Sequence, residues 1–122
     1  LSLFIPVVAC EVKTNLDKNM IAGVENSAES LRKTFPNCRY LLITEFADFA
    51  IDKQNYASSK IDEILILRHQ KRSSARSGSA IQNISASLLA DLSAMTLQQL
   101  NLLSKPPSAL AARLSSGRLI KR

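Results

Sequence analysis

The chain is poor in the residues that build disulfide frameworks and large aromatic cores. Its 122 residues include 2 cysteines, 3 glycines and no tryptophan, and aromatic residues make up 5%. Cys10 and Cys38 have neither the spacing of zinc ligands nor the number needed for a disulfide framework. We therefore expect both to be small buried hydrophobic residues in a reducing compartment.

Long hydrophobic runs are also absent. No apolar stretch approaches the roughly 18–20 residues of a transmembrane helix. The apolar start, Leu1 to Cys10, lacks the basic region and the small-residue cleavage site of a signal peptide. We therefore expect a cytoplasmic protein with no membrane partner. The formal net charge of +6 favours polyanionic partners such as nucleic acid.

The main chemical signal lies in a predicted strand that contains Glu11 and Lys13. Side chains of a strand alternate between its two faces, so this carboxylate and this amine project on the same side. The apolar neighbours predict a strand deep in the fold, where charges are costly unless they are used. Metal-dependent phosphodiester cleavage needs such a pair: an acid that holds a divalent cation and a lysine that orients water and stabilises charge. The alternative is an incidental pair on a half-exposed strand, worth roughly a few tenths of a kcal/mol.

A helix and two further strands follow in a strand–helix–strand–strand order. A turn is predicted over 14–17, with an N-cap from Thr14, Asn15 or Asp17. The predicted helix, Lys18 to Thr34, and the strands, Arg39 to Thr44 and Ile61 to Arg68, give the spacing of a parallel crossover. The apolar stripe of the helix is Met20, Val24, Ala28 and Leu31.

The composition changes after the third predicted strand. A basic run there contains Arg68, His69, Lys71, Arg72 and Arg76, and from about Ser73 the chain is rich in Ser, Ala and Leu. An amphipathic helix is predicted over 84–103, ended by Pro106 and Pro107, with a basic tail over 108–122. We expect two parts, a folded core over 1–76 and a helical or poorly ordered extension over 77–122.

The run VACEVKTNLDKNMIAGVENSAESLRKTFPNCRYLLITEFADF, from Val8 to Phe49, resembles the type II restriction endonucleases of the PD-(D/E)xK superfamily. The likeness is strongest to the group that cuts short asymmetric DNA sites, often with two non-identical catalytic subunits. Glu11-Val12-Lys13 aligns with that family's Glu-x-Lys strand. The resemblance implies an α/β, restriction-endonuclease-like sandwich core, with Glu11 and Lys13 as catalytic residues and Glu11 as a ligand of Mg²⁺. It also implies double-stranded DNA as substrate and a second nuclease subunit as partner.

One departure from that family concerns the metal site. The family pairs Glu-x-Lys with an aspartate on the preceding strand, but none of the residues before Glu11 is acidic. A single carboxylate provides too few hard oxygen ligands to hold Mg²⁺ well. Glu25 and Glu29 are the substitutes nearest in sequence, and both fall beside the apolar stripe of the helix. We therefore expect a C-terminal fragment of a larger nuclease, truncated on its N-terminal side, whose site-specific cleavage requires an upstream aspartate.

Several polar residues are candidates for DNA binding. Asn15 and Lys18 follow the Glu-x-Lys strand at a helix N-terminus, a position suited to phosphate, although capping and solvation also explain them. Arg68, Lys71 and Arg72 are expected to contact phosphate, with a solvated basic loop as the alternative.

Three functions fit these features. The first is part of a Mg²⁺-dependent endonuclease that hydrolyses DNA phosphodiester bonds. The second is a catalytically incompetent remnant that only binds DNA or a partner subunit. The third is a structural α/β domain in which the Glu11–Lys13 pair is incidental.

Overall fold

A computed structural model describes residues 5–103, 112 and 115–117, and within them a sheet is flanked by helices. The strand–helix–strand–strand order is confirmed at the start of the chain. A short 3-10 turn, Ile51–Lys53, separates the second and third strands. The elements are β1 (Val8–Leu16), α1 (Lys18–Thr34), β2 (Arg39–Ala47), β3 (Glu63–Ile66), α2 (Arg72–Arg76) and α3 (Ala86–Leu103).

The three strands form one sheet in the order β1-β2-β3, and both pairings are parallel. The parallel crossover through α1 is therefore confirmed. The register places Glu11 opposite Leu42 and Lys13 opposite Thr44. Because all three strands run the same way, their carboxyl ends lie along one edge of the sheet.

Strand β2 forms the centre of the core. Leu41 and Leu42 point to opposite faces and are both fully buried, which requires cover on both sides of the sheet. One face packs against α1 through Val24 and Ala28. On the other face, Leu65 of β3 and Leu88 of α3 line a common groove.

Helix α1 begins and ends as the sequence predicts. The Asp17 carboxylate caps it by accepting hydrogen bonds from the backbone N–H groups of Asn19 and Met20, both at 2.9 Å. The predicted stripe is confirmed at Val24 and Ala28 but wrong at Met20, which is exposed. Ile21 packs against the core instead, because the helix face that meets the sheet is shifted by one residue in the first turn.

Strand β1 differs from the prediction in length and position. The turn predicted over 14–17 is wrong: the strand continues to Leu16, because Asn15 and Leu16 pair with Phe46 and Ala47 of β2. The strand was expected deep in the fold, yet it is an edge strand of the described sheet and Val12 is 70% exposed. Cys10 shares that outer face and is exposed, so its predicted burial is also wrong, whereas Cys38 is buried.

The observed ends of the remaining helices and strands differ from the predicted ends. Strand β2 is longer than predicted and β3 is shorter, and the basic run contains the short helix α2. Helix α3 confirms the predicted helix and contacts the loop between α1 and β2 through a hydrogen bond from Gln99 Nε2 to the Asn37 carbonyl, at 2.8 Å. The predicted break at Pro106 and Pro107 lies outside the described residues, and the division of the chain near residue 76 stays a prediction.

Candidate active site

Glu11 and Lys13 meet on one face of β1, as strand alternation predicts. Lys13 Nζ lies 2.9 Å from Glu11 Oε1, and the two side chains keep 39% and 25% of their surface exposed, respectively. Exposed ion pairs contribute little to stability. This pair is therefore reachable from solvent and is not needed to hold the fold together.

Tyr40 is a third member of the site that sequence reasoning missed. Its hydroxyl donates a hydrogen bond to Glu11 Oε2 at 2.5 Å. Tyr40 lies on β2 two residues before Leu42, the residue opposite Glu11, so it reaches the carboxylate diagonally across the two strands. Only the register between β1 and β2 places Tyr40 near Glu11, and a single sequence does not reveal that register.

The two contacts keep Glu11 ionised. The hydrogen bond from Tyr40, followed by that from Lys13, lowers the pKa of Glu11 below its usual value, although partial burial opposes the shift. Burial, followed by the hydrogen bond to Glu11, raises the pKa of Tyr40 to about 12, so the phenol remains a donor at neutral pH. The result is a fixed carboxylate with free lone pairs on both oxygens.

This carboxylate fits a divalent cation as one ligand of several. Mg²⁺ commonly takes one or two carboxylates and keeps several waters or phosphate oxygens. Residues 5–103, 112 and 115–117 contain no group of three or more His, Cys, Asp or Glu side chains that could hold a metal ion. Glu25 binds Ser59 and the Lys60 N–H, and Glu29 pairs with Lys33, so neither carboxylate joins Glu11.

Asn15 and Lys18 lie where β1 ends and α1 begins. Asn15 projects on the same face as Glu11 and Lys13, and its buried Oδ1 makes no hydrogen bond within the described part of the chain. Lys18 is the first residue of α1 and is exposed. Both residues therefore occupy the edge of the sheet where the parallel strands end.

The basic run begins at that same edge, after β3. The Asp48 carboxylate, which follows β2, accepts hydrogen bonds from the Ser73 N–H and hydroxyl and so holds α2 beside the strand ends. Lys71 and Arg72 stand at the start of α2, and neither forms an ion pair within the described residues. The charges of Lys71 and Arg72, two of the predicted DNA contacts, are therefore not neutralised by a carboxylate in the described part of the chain.

Arg68 is used inside the fold. Its Nε donates to Glu45 Oε1 at 2.8 Å, its Nη1 donates to the Gln82 carbonyl, and its guanidinium lies 5.8 Å from the centre of the Phe46 ring. These contacts join the end of β3 to the segment before α3. The sequence does not distinguish Arg68 from the other basic residues of the run, because it does not show that Glu45 and Gln82 lie close to Arg68.

Two comparisons with known proteins find similarities to restriction endonucleases. Residues 2–88 match the family model described as Bpu10I restriction endonuclease. The chain is also similar to a solved structure described as "native BbvCI A2B2 tetramer at low resolution", with 40% sequence identity and a TM-score of 0.67. That similarity covers 82% of this chain but only 39% of the solved chain. A comparison with curated proteins finds no match.

These matches confirm the predicted α/β, restriction-endonuclease-like core. The family match includes β1, α1, β2, β3 and α2, and it therefore contains Glu11, Lys13, Tyr40 and the basic run. It ends inside α3. The chain belongs to the Bpu10I restriction endonuclease family, and its resemblance to type II restriction endonucleases is confirmed.

Proposed function

We propose that this chain is the core segment of a Mg²⁺-dependent type II restriction endonuclease that hydrolyses phosphodiester bonds in double-stranded DNA. The supporting observation is the Glu11 carboxylate, ionised and held between the Lys13 ammonium and the Tyr40 hydroxyl on a solvent-accessible strand. The family match and the PD-(D/E)xK resemblance add support for this assignment.

In this proposal Glu11 provides one ligand for Mg²⁺, and water, DNA phosphate and a carboxylate from outside the described residues provide others. When bound, the ion supplies Lewis-acid stabilisation of the phosphoryl oxygens and a more acidic water. Lys13 Nζ donates to the attacking water and holds it for in-line approach to phosphorus. The same ammonium stabilises the negative charge that develops on the phosphorane.

We propose that DNA lies along the edge where the parallel strands end. Lys18, Lys71 and Arg72 provide phosphate contacts there, and Asn15 lies beside the same edge. Arg68 supports this surface by holding the loop after β3 through Glu45. Each phosphate contact makes DNA affinity more sensitive to salt.

We further propose a second nuclease subunit as partner and a cytoplasmic location. The partner is suggested by the similar solved structure, whose description is an A2B2 tetramer. Among the described residues, none of the helices is both long enough and apolar enough to span a membrane.

The Lys13→Ala substitution tests the catalytic assignment in the protein that contains this chain. We expect Mg²⁺-dependent cleavage of plasmid DNA to fall by roughly 10²-fold or more, because charge stabilisation in the transition state is lost. DNA affinity, measured by fluorescence anisotropy, should change little. Lys33→Ala is the matched control, since Lys33 also pairs with a glutamate but lies on the outer face of α1. Cleavage that survives Lys13→Ala would show that Lys13 has another role.

A catalytically incompetent remnant is the second candidate function. It is favoured by the lack of any metal-binding group of three side chains among the residues that the structure describes. Plasmid cleavage by the isolated chain would exclude it, whereas salt-sensitive DNA binding without cleavage would support it. No DNA affinity at any salt concentration would instead favour a purely structural α/β domain.

A further inference from the structure

We infer that Tyr40 is a positioning residue, whose hydroxyl fixes the Glu11 carboxylate in the orientation that receives a divalent cation. This inference rests on the proposed function, because it takes Glu11 as a metal ligand. Tyr40 itself need not touch the ion or the DNA. It acts through the hydrogen bond from its hydroxyl to Glu11 Oε2.

The position of the hydroxyl is set by buried packing. The Tyr40 side chain is almost fully buried in the core cluster formed with Leu16, Val24, Ala28, Leu42 and Ile61. A ring held on all sides has few alternative rotamers, so its hydroxyl stays at one place on the sheet. The donor is therefore in place before any ligand arrives.

The backbone of Tyr40 is held as well. Its N–H donates to Asp62 Oδ2 at 2.6 Å, and the other oxygen of Asp62 contacts Arg32 of α1. The ring and the backbone are thus tied to the helix that covers the sheet and to the segment before β3.

Lys13 and Tyr40 contact different oxygens of the Glu11 carboxylate. Lys13 binds Oε1 and Tyr40 binds Oε2, which leaves about two of the four lone-pair sites for other ligands. The Lys13 side chain is long and partly exposed, whereas the Tyr40 side chain is buried. If Lys13 turns towards water or phosphate, Tyr40 alone keeps the carboxylate plane in place. Partners of this kind orient ligating carboxylates, and their loss commonly costs about 10–100-fold in metal affinity.

The chain offers a matched pair of variants for the test. Tyr40 and Tyr56 are its two tyrosines, and it has no tryptophan. The Tyr56 hydroxyl donates to the Ile51 carbonyl near the β3 side of the sheet, away from Glu11. Tyr40→Phe removes the inferred contact but keeps the buried ring, and Tyr56→Phe removes a tyrosine hydroxyl elsewhere.

The first measurement is binding of Mn²⁺ by the protein that contains this chain, followed by the electron paramagnetic resonance signal of the free ion. We expect Tyr40→Phe to weaken binding by about 10–100-fold, and Tyr56→Phe to leave it unchanged. Glu11→Gln should abolish binding. Loss with Glu11→Gln but not with Tyr40→Phe would overturn the role of Tyr40 while leaving the proposed function intact. Unchanged binding in Glu11→Gln, or no binding by the unchanged protein that contains this chain, would overturn both.

The second measurement separates positioning from general support of the fold. In the Tyr56→Phe variant, Tyr40 is the single tyrosine, so its fluorescence reports the hydroxyl–carboxylate contact directly. We expect Mg²⁺ to change this emission, and the change should vanish when Glu11→Gln is added. An emission that ignores Mg²⁺ in a variant that still binds Mn²⁺ would contradict the inference.

Discussion

Strands β1 and β2 are neighbours of equal length, but they have different roles in the molecule. Each has nine residues, and they pair in parallel over almost their whole length. Most of β2 is buried, whereas β1 alternates between partly buried and exposed positions until Leu16. The central strand holds the fold, and the edge strand carries Glu11 and Lys13. This division explains how two charges lie on a sheet without weakening its core.

Truncating one apolar residue on each strand tests this division most strongly. Leu42→Ala should lower the free energy of unfolding by roughly 2–5 kcal/mol, because it leaves a cavity beneath α1. Val12→Ala on β1 should change it by less than about 0.5 kcal/mol, because that side chain is mostly exposed. Urea denaturation followed by circular dichroism measures both. Equal losses would show that the middle of β1 supports the core as much as β2 does.

Removal of the Asp62 carboxylate should weaken the anchoring of β2 to α1. Asp62→Ala leaves the Tyr40 N–H and the Arg32 guanidinium without their shared partner. We expect a loss of roughly 1–3 kcal/mol in the same unfolding assay. Glu29→Ala serves as the control, because its pair with Lys33 is exposed and should contribute less than about 0.5 kcal/mol. A neutral Asp62→Ala would mean that this end of β2 is held by packing alone.

The junction between β1 and α1 should depend on its cap. Asp17→Ala removes the acceptor for the first N–H groups of α1 and should cost about 1 kcal/mol. Asp17→Asn should restore most of that loss, since asparagine is also a good cap. Thermal unfolding of the two variants compares them directly, and equal melting temperatures would argue against a capping role.

The smallest expected effect is the pH dependence that Glu11 contributes. Its pKa is lowered in the folded chain, so the folded state binds fewer protons than the unfolded state near the usual carboxyl pKa. Stability from Glu11 is therefore present above that usual value and is lost as the pH falls through the lowered one. Unfolding free energies measured across the acid range should fall less steeply for Glu11→Gln. An unchanged slope would mean that the contacts of Glu11 form equally in the unfolded chain.

Local signals predicted the helix well and the ends of strands less well. Asp17 and the Phe35–Pro36 pair mark α1 within a few residues of its ends, so no distant contact was needed. Asn15 has the local character of a turn residue, yet pairing with Phe46 keeps it in β1. Strand ends depend on partners far along the chain, and those are invisible to local propensity.

In the candidate site too, the contacts between residues far apart in sequence could not be predicted. Alternation alone was enough to place Glu11 beside Lys13. The position of Tyr40 beside Glu11 follows only from the register of β1 with β2. The sequence predicts Arg68 as a phosphate contact or part of a solvated basic loop, and it does not reveal the contacts with Glu45 and the Gln82 carbonyl because those residues are separated from Arg68 in sequence.

Among the described strands β1 lies at the edge of the sheet, which has a consequence for the solubility of this chain in isolation. An exposed strand edge presents backbone N–H and C=O groups to which a strand of another molecule can add. Natural sheets discourage such growth with charges that would be buried by the incoming strand. Glu11 and Lys13 are placed to do this, because a strand added beside them would have to desolvate both. In the isolated chain, neutralising the pair would therefore remove a safeguard against aggregation as well as the proposed chemistry.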